Sequence, residues 1–298
     1  MHRSRTPGSL PDQLLKGLSQ IFLQENRWTG ACFLLGLFLG HWSYAAAALA
    51  AALAGTLLAR AARYPQAETD AGLYGFSPAL VGVALVFLYQ GTPLTWSLVC
   101  LGGAMAAAVQ RFFIVRGVPA YTFPFILVAW CLVFLLGQGS GVPPSAIAPP
   151  AAVAAPFTWV AAVVLGFGQV VFQGSLLPAL LLLAGVLINR PLAALYATAA
   201  AALGLVLGLA SGQPPEAVQL GLYGFNPVLT AIAFAGRGRK DLAWATVGVL
   251  ATTSLHILLA RTDLLAPVGG VFTFPFVAGT WLTLALRKRV GRAPSGQA

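Results

Sequence analysis

The sequence predicts an all-α integral membrane protein, with ten transmembrane helices and two re-entrant half-helices in an inverted two-fold repeat. Three observations carry this: the composition, an internal duplication and the placement of positive charge. The 298 residues are 58% hydrophobic and only 8% charged, and the mean hydropathy is +0.83. A soluble domain carries about a quarter charged residues, because its surface faces water. Apolar stretches such as 160–188 exceed what soluble helices need, and a spanning helix takes roughly 20 such residues. Polar and apolar positions do not alternate as barrel strands require, so the backbone must satisfy its hydrogen bonds within helices.

The duplication is explicit. Gly72-Leu73-Tyr74-Gly75-Phe76-Ser77-Pro78 recurs as Gly221-Leu222-Tyr223-Gly224-Phe225-Asn226-Pro227, at an offset of 149. Leu80 and Leu229 follow at the same offset, as do Gln20 and Gln169, and Gln24 and Gln173. Thr122-Phe123-Pro124-Phe125 recurs as Thr273-Phe274-Pro275-Phe276, at an offset of 151. Ordered matches at nearly one offset identify two related halves, 1–140 and 157–298. Between them, 141–156 is rich in Gly, Pro and Ala and uncharged, which predicts an extended extramembrane linker.

Each half opens with a short apolar piece, 10–26 and 158–174, that predicts a half-helix. The spans expected after the first are 28–44, 45–61, 76–90, 94–110 and 122–138. After the second they are 175–189, 192–210, 225–236, 242–259 and 273–287. Residues 1–16 are polar and contain prolines, without the apolar stretch of a cleavable signal peptide, so insertion is expected to rely on the spans.

Five spans per half is an odd number, so the halves must be inverted. With both termini cytoplasmic, 15 of the 17 basic residues fall on that side: Arg3, Arg5, Lys16, Arg60, Arg63, Arg111, Arg116, Arg190, Arg237, Arg239, Lys240, Arg287, Lys288, Arg289 and Arg292. Only Arg27 and Arg261 do not. This is the positive-inside pattern, and it accounts for the net charge of +10 without a nucleic-acid partner. An inverted repeat places a shared site near the bilayer centre, where irregular backbone lines a cavity.

The chemistry on offer is neutral. All seven acidic residues fall in tails, loops or span edges, whereas gradient-coupled transporters place an ionisable group at membrane depth. No metal-ligand spacing, nucleophile elbow or paired carboxylate is present, so no enzyme, cofactor or metal is expected. Cys32, Cys100 and Cys131 read as small hydrophobes within apolar segments. His41 and His256 read as packed or interfacial histidines rather than proton relays. Thr122 and Thr273 each begin a span. A single such threonine reads as a helix cap, but two copies meeting near a two-fold axis read as pore lining, each offering an uncharged donor and acceptor. Phe76 with Leu80, and Phe225 with Leu229, share helix faces at i, i+4.

The paired Leu-x-Gly-Phe-x-Pro-x-Leu elements, the Thr-Phe-Pro-Phe elements and the Gln-led half-helices resemble the urea transporter family over essentially the whole chain. The resemblance implies one pore per subunit, a homotrimer in the lipid bilayer of a bacterial inner membrane, and passive conduction of urea. It implies that Gln20 and Gln169 stand at the ends of a filter whose middle is lined by Thr122 and Thr273. One aromatic slot then combines Phe76, Leu80, Val170 and Leu23, and the other Phe225, Leu229, Ile21 and Phe172. Two departures stand out: Leu23 occupies the place that Phe172 holds in the second half, and Gly270 replaces the proline that Pro119 supplies before Thr122. A pore for ammonia or a short amide, and a gradient-coupled transporter, remain the alternative readings.

Overall fold

The computed structural model describes residues 8–147 and 158–291. Arg3, Arg5, Arg292 and most of the predicted linker lie outside the described residues. Fourteen helices follow one another: α1 Leu10–Gln20, α2 Arg27–Gly40, α3 Trp42–Ala61, α4 Gln66–Asp70, α5 Phe76–Leu88, α6 Pro93–Val115, α7 Phe123–Gly137, then α8 Thr158–Gln169, α9 Leu176–Asn189, α10 Pro191–Ala210, α11 Pro215–Gln219, α12 Phe225–Phe234, α13 Arg239–Thr262 and α14 Phe274–Val290. A short 3-10 turn, Ala266–Val268, precedes α14. The only strand-like feature among the described residues is an isolated pairing of Tyr89 with Pro144.

Among the described residues, four helices are long and apolar enough to cross a membrane: α3, α6, α10 and α13. The distribution of polarity says the same. Large apolar side chains face outward, among them Phe38 (57% exposed), Leu195 (65%) and Leu258 (58%), while Thr29, Ser77, Asn226, Thr230 and Thr252 are sealed inside. A water-soluble protein does the reverse. The chain is a multi-pass membrane protein.

Local sequence explains the helix ends. Asn26 caps α2 by accepting from Trp28 N (2.8 Å) and Thr29 N (3.1 Å). Thr92 caps α6, with Pro93 in the first turn where its missing N–H costs nothing. Small residues set the packing: Ala47, Ala48, Ala51 and Ala52 of α3 are fully buried. A Cβ on Gly82 of α5 or Gly103 of α6 would collide with the α3 backbone at Ala47 and Ala51. Such small faces let apolar helices approach closely enough for dispersion to hold them together.

The expected segmentation differs at several places, one of them α6, which runs to Val115, five residues past its expected end, and carries Arg111 inside the helix rather than in a loop. The break between α2 and α3 falls at His41, whose side chain accepts from Ser43 N (3.3 Å), three residues earlier than expected. α5 and α12 are only 13 and 10 residues long. Each is preceded by a helical turn, α4 or α11, that the polar segments 66–70 and 215–219 had not suggested. The described part of the linker folds back on the end of α5, with Ser145 N donating to Leu88 O (3.0 Å) and Gln90 N to Pro143 O (2.9 Å).

Candidate functional site

Helices α1 and α8 have 11 and 12 residues, about 17 Å of rise, against roughly 30 Å for a bilayer core. Each ends in a turn that carries one residue into left-handed backbone, Leu23 (φ 57°) and Phe172 (φ 62°). Non-glycine residues adopt that conformation at a cost, and such positions cluster at functional sites. The terminal glutamines are used in the same way. Gln20 Nε2 donates to Ala71 O (2.9 Å) and Gln169 Nε2 to Leu220 O (2.8 Å), while Gln24 and Gln173 donate to Phe22 O (2.8 Å) and Val171 O (3.2 Å). The two ends meet where the Phe22 ring stacks parallel to Phe167, centroids 6.3 Å apart. Ile21 and Val170 are buried at this junction. Among the described residues their carbonyls receive no hydrogen bond.

The Thr-Phe-Pro-Phe turns come together too. Thr122 and Thr273 occupy the N-cap positions of α7 and α14, but neither side chain caps its helix. Instead the two hydroxyls, both buried, lie 2.6 Å apart. The residues before them, Tyr121 and Phe272, are left-handed (φ 49° and 43°). Their rings pack against the phenylalanine of the opposite motif, Tyr121 on Phe276 (5.2 Å) and Phe125 on Phe272 (5.3 Å).

Phe76, Leu80, Phe225 and Leu229 are all buried. A cavity of about 340 Å³ is lined by Gln169, Val170, Phe172, Phe225, His256 and Thr273, together with Phe87, Phe125 and Phe272. A second cavity of about 390 Å³ shares Gln169 and Phe172 and adds Tyr44, Gln173 and Ser145. No aspartate, glutamate, lysine or arginine lines either. The structure thus gathers five of the six expected second-half residues, Gln169, Val170, Phe172, Phe225 and Thr273, around one cavity. Gln20, Ile21, Leu23, Phe76, Leu80, Thr122 and Leu229 do not line it.

Charge stays at the helix ends. Arg111 pairs with Glu68 (2.9 Å). Burial works to raise the Asp70 carboxyl, but hydrogen bonds from Gln13, Gln66 and the Gly8 N–H outweigh it and hold the group below its ordinary value. Among the described residues no cluster of His, Cys, Asp and Glu could hold a metal ion.

Sequence reasoning took His256 for a packed or interfacial histidine and did not single out Asn226 or the rings of Phe87, Phe125 and Phe272 for the site. Phe125 was visible inside its repeated motif. Asn226 was visible as the single difference from Ser77 in an otherwise identical heptad.

A family model described as urea transporter matches residues 12–288. The chain is 26% identical to urea transporter 1 of Mus musculus over 254 residues, 79% of this chain and 65% of that protein. Against urea transporter 1 of Ovis aries the identity is 25% over 294 residues, 92% of this chain and 76% of that protein. The chain spans 65% of the length of the mouse and rat relatives.

Proposed function

The chain belongs to the urea transporter family, and from that we propose that it is a passive channel conducting urea down its gradient. The single observation that carries the reading is the 2.6 Å contact of the Thr122 and Thr273 hydroxyls, contributed by turns 151 residues apart. In this reading the two halves are inverted repeats, 1–140 and 157–298, of five spans and one half-helix each. Both termini are cytoplasmic, in a bacterial inner membrane, and three copies assemble.

Urea is flat, neutral, and edged with donors around one carbonyl. The slots built from Phe76, Leu80, Val170 and Leu23, and from Phe225, Leu229, Ile21 and Phe172, accept its faces. The Ile21 and Val170 carbonyls are free to accept its N–H groups, with Gln20 and Gln169 at the two ends. At the midpoint the solute replaces the threonine pair's mutual hydrogen bond, taking a donor from one hydroxyl and giving one to the other. Exchanging bond for bond keeps the barrier low, because an unmade hydrogen bond in a desolvated site costs about 1–3 kcal/mol. A hydrated ion finds no charge to replace its water, and its desolvation costs far more.

The test is stopped-flow permeation of proteoliposomes with urea, N-methylurea, acetamide and glycerol. Urea should cross fastest and far above protein-free vesicles. Preference for acetamide, or for ammonia measured alongside, would move the assignment to another small neutral solute.

A further inference from the structure

The two halves are not chemically equal at the slots, and the difference centres on His256. It lies on α13 at 4% exposure, in the wall of the cavity it shares with Phe225, Phe172 and Thr273. Its ring stacks on Tyr223 (centroids 5.1 Å, 26°) and meets Phe225 edge-on (5.3 Å, 71°). The ring is therefore held from two sides, and only its polar edge has freedom to act.

Which nitrogen carries the proton follows from Asn226. The Phe276 backbone N–H can only donate, and it faces Asn226 Oδ1 at 3.0 Å. The other end of that amide is then Nδ2, which donates to Phe272 O (3.2 Å) and faces His256 Nδ1 at 3.4 Å. A donor facing Nδ1 makes Nδ1 the acceptor, so the neutral imidazole carries its proton on Nε2. Among the described residues Nε2 has no hydrogen-bond partner, and it is not among the sealed unpartnered side-chain atoms, which are Ser77 Oγ, Gln110 Oε1 and Thr280 Oγ1. It is the one polar edge of the ring left to serve the cavity that His256 lines.

The first half has no such device. α6, the counterpart of α13, contains no histidine, and its buried face includes Gly102, Gly103, Ala106 and Ala107. Ser77 stands where Asn226 stands, its hydroxyl sealed and unpartnered.

We infer that His256 is a specificity-determining residue, whose Nε2–H donates to the carbonyl oxygen of a small neutral amide in the Phe225 slot. Asn226 is its positioning residue, fixing the tautomer while it braces the Phe272–Phe276 turn. This deepens the urea-channel reading and rests on it. The phenylalanine slots select for a flat shape; the histidine selects for a strong acceptor on that shape. Urea and thiourea separate the two criteria, since both are planar with the same N–H groups, and sulfur is the weaker acceptor.

The experiment measures urea and thiourea permeability in proteoliposomes for the parent, His256→Phe and His256→Gln, at equal inserted protein. Phenylalanine keeps the stack on Tyr223 and the edge on Phe225 but removes the donor. It should lower urea permeability about 2- to 12-fold, the worth of one neutral hydrogen bond, with a smaller change for thiourea, so the urea:thiourea ratio falls. Glutamine restores a donor and should keep the ratio near the parental value. Equal losses for both solutes, an unchanged ratio, or a glutamine variant that behaves like phenylalanine would overturn the inference. Nitrogen NMR of the parent gives a variant-free check: a neutral Nε2–H tautomer is expected, and an Nδ1–H tautomer contradicts it. A parent that conducts no urea brings down the channel reading itself, an outcome distinct from a conducting parent with an indifferent His256.

Discussion

Thr122 and Thr273 have the sequence position of helix caps and the geometry of something else. A capping threonine spends its hydroxyl on a backbone N–H of its own first turn; these two spend theirs on each other. Thr122→Val and Thr273→Val preserve shape and remove the hydroxyl, leaving the partner unpaired in a buried site. Each should lower urea permeability by roughly 5- to 150-fold, the equivalent of about 1–3 kcal/mol, while insertion and assembly stay parental. Full parental flux in both would return the residues to a structural role. The threonines were legible in the sequence because duplication marked them. His256 and Asn226 were not, since each stands in one half only, and their contacts span 30 and 46 residues or more. No local pattern reports such a pairing.

At the scale of the element, the turns that launch α5 and α12 rest on Gly72 and Gly221, with φ of 78° and 77°. The backbones of α1 and α8 lie directly against them. A Cβ on Gly221 would stand 2.6 Å from Gly166 N and 2.7 Å from the Leu165 carbonyl carbon. Gly212 has a similar φ of 70° but nothing within 4 Å. The pair separates conformational strain from collision. Gly212→Ala should cost about 1–2 kcal/mol, the left-handed penalty alone, and Gly221→Ala distinctly more, read as thermal stability in detergent or loss of inserted protein. Equal costs would mean that α8 does not rest on this turn. Helix existence was legible from hydropathy for α2, α3, α6, α7 and their counterparts, whose middles are apolar and whose charges, such as Arg239 to Asp241 of α13 and Arg287 to Arg289 of α14, stand toward the ends. The five-residue α4 and α11 were not, since their segments are polar and too short for any period. α5 and α12 end two residues before expectation, because Tyr89 and Ala235 already turn to extended backbone.

For the whole molecule, the basic residues make a claim about orientation that the helix order alone does not. Both termini should be cytoplasmic and residue 145 on the opposite face. Cysteine labelling at residue 145 and near the C-terminus should give opposite accessibility in sealed vesicles; the same side for both would break the inverted-repeat reading. Orientation matters because the central proposal is a continuous passive route between the two faces. A channel with no charge in its walls has nothing to couple to a gradient. The most direct measurement is uptake of labelled urea into proteoliposomes with and without an imposed proton or sodium gradient. Internal urea should reach the external concentration faster than in protein-free vesicles, stop there, and do so at a rate indifferent to either gradient. Accumulation above the external concentration under a gradient, or entry no faster than through bare lipid, would contradict it.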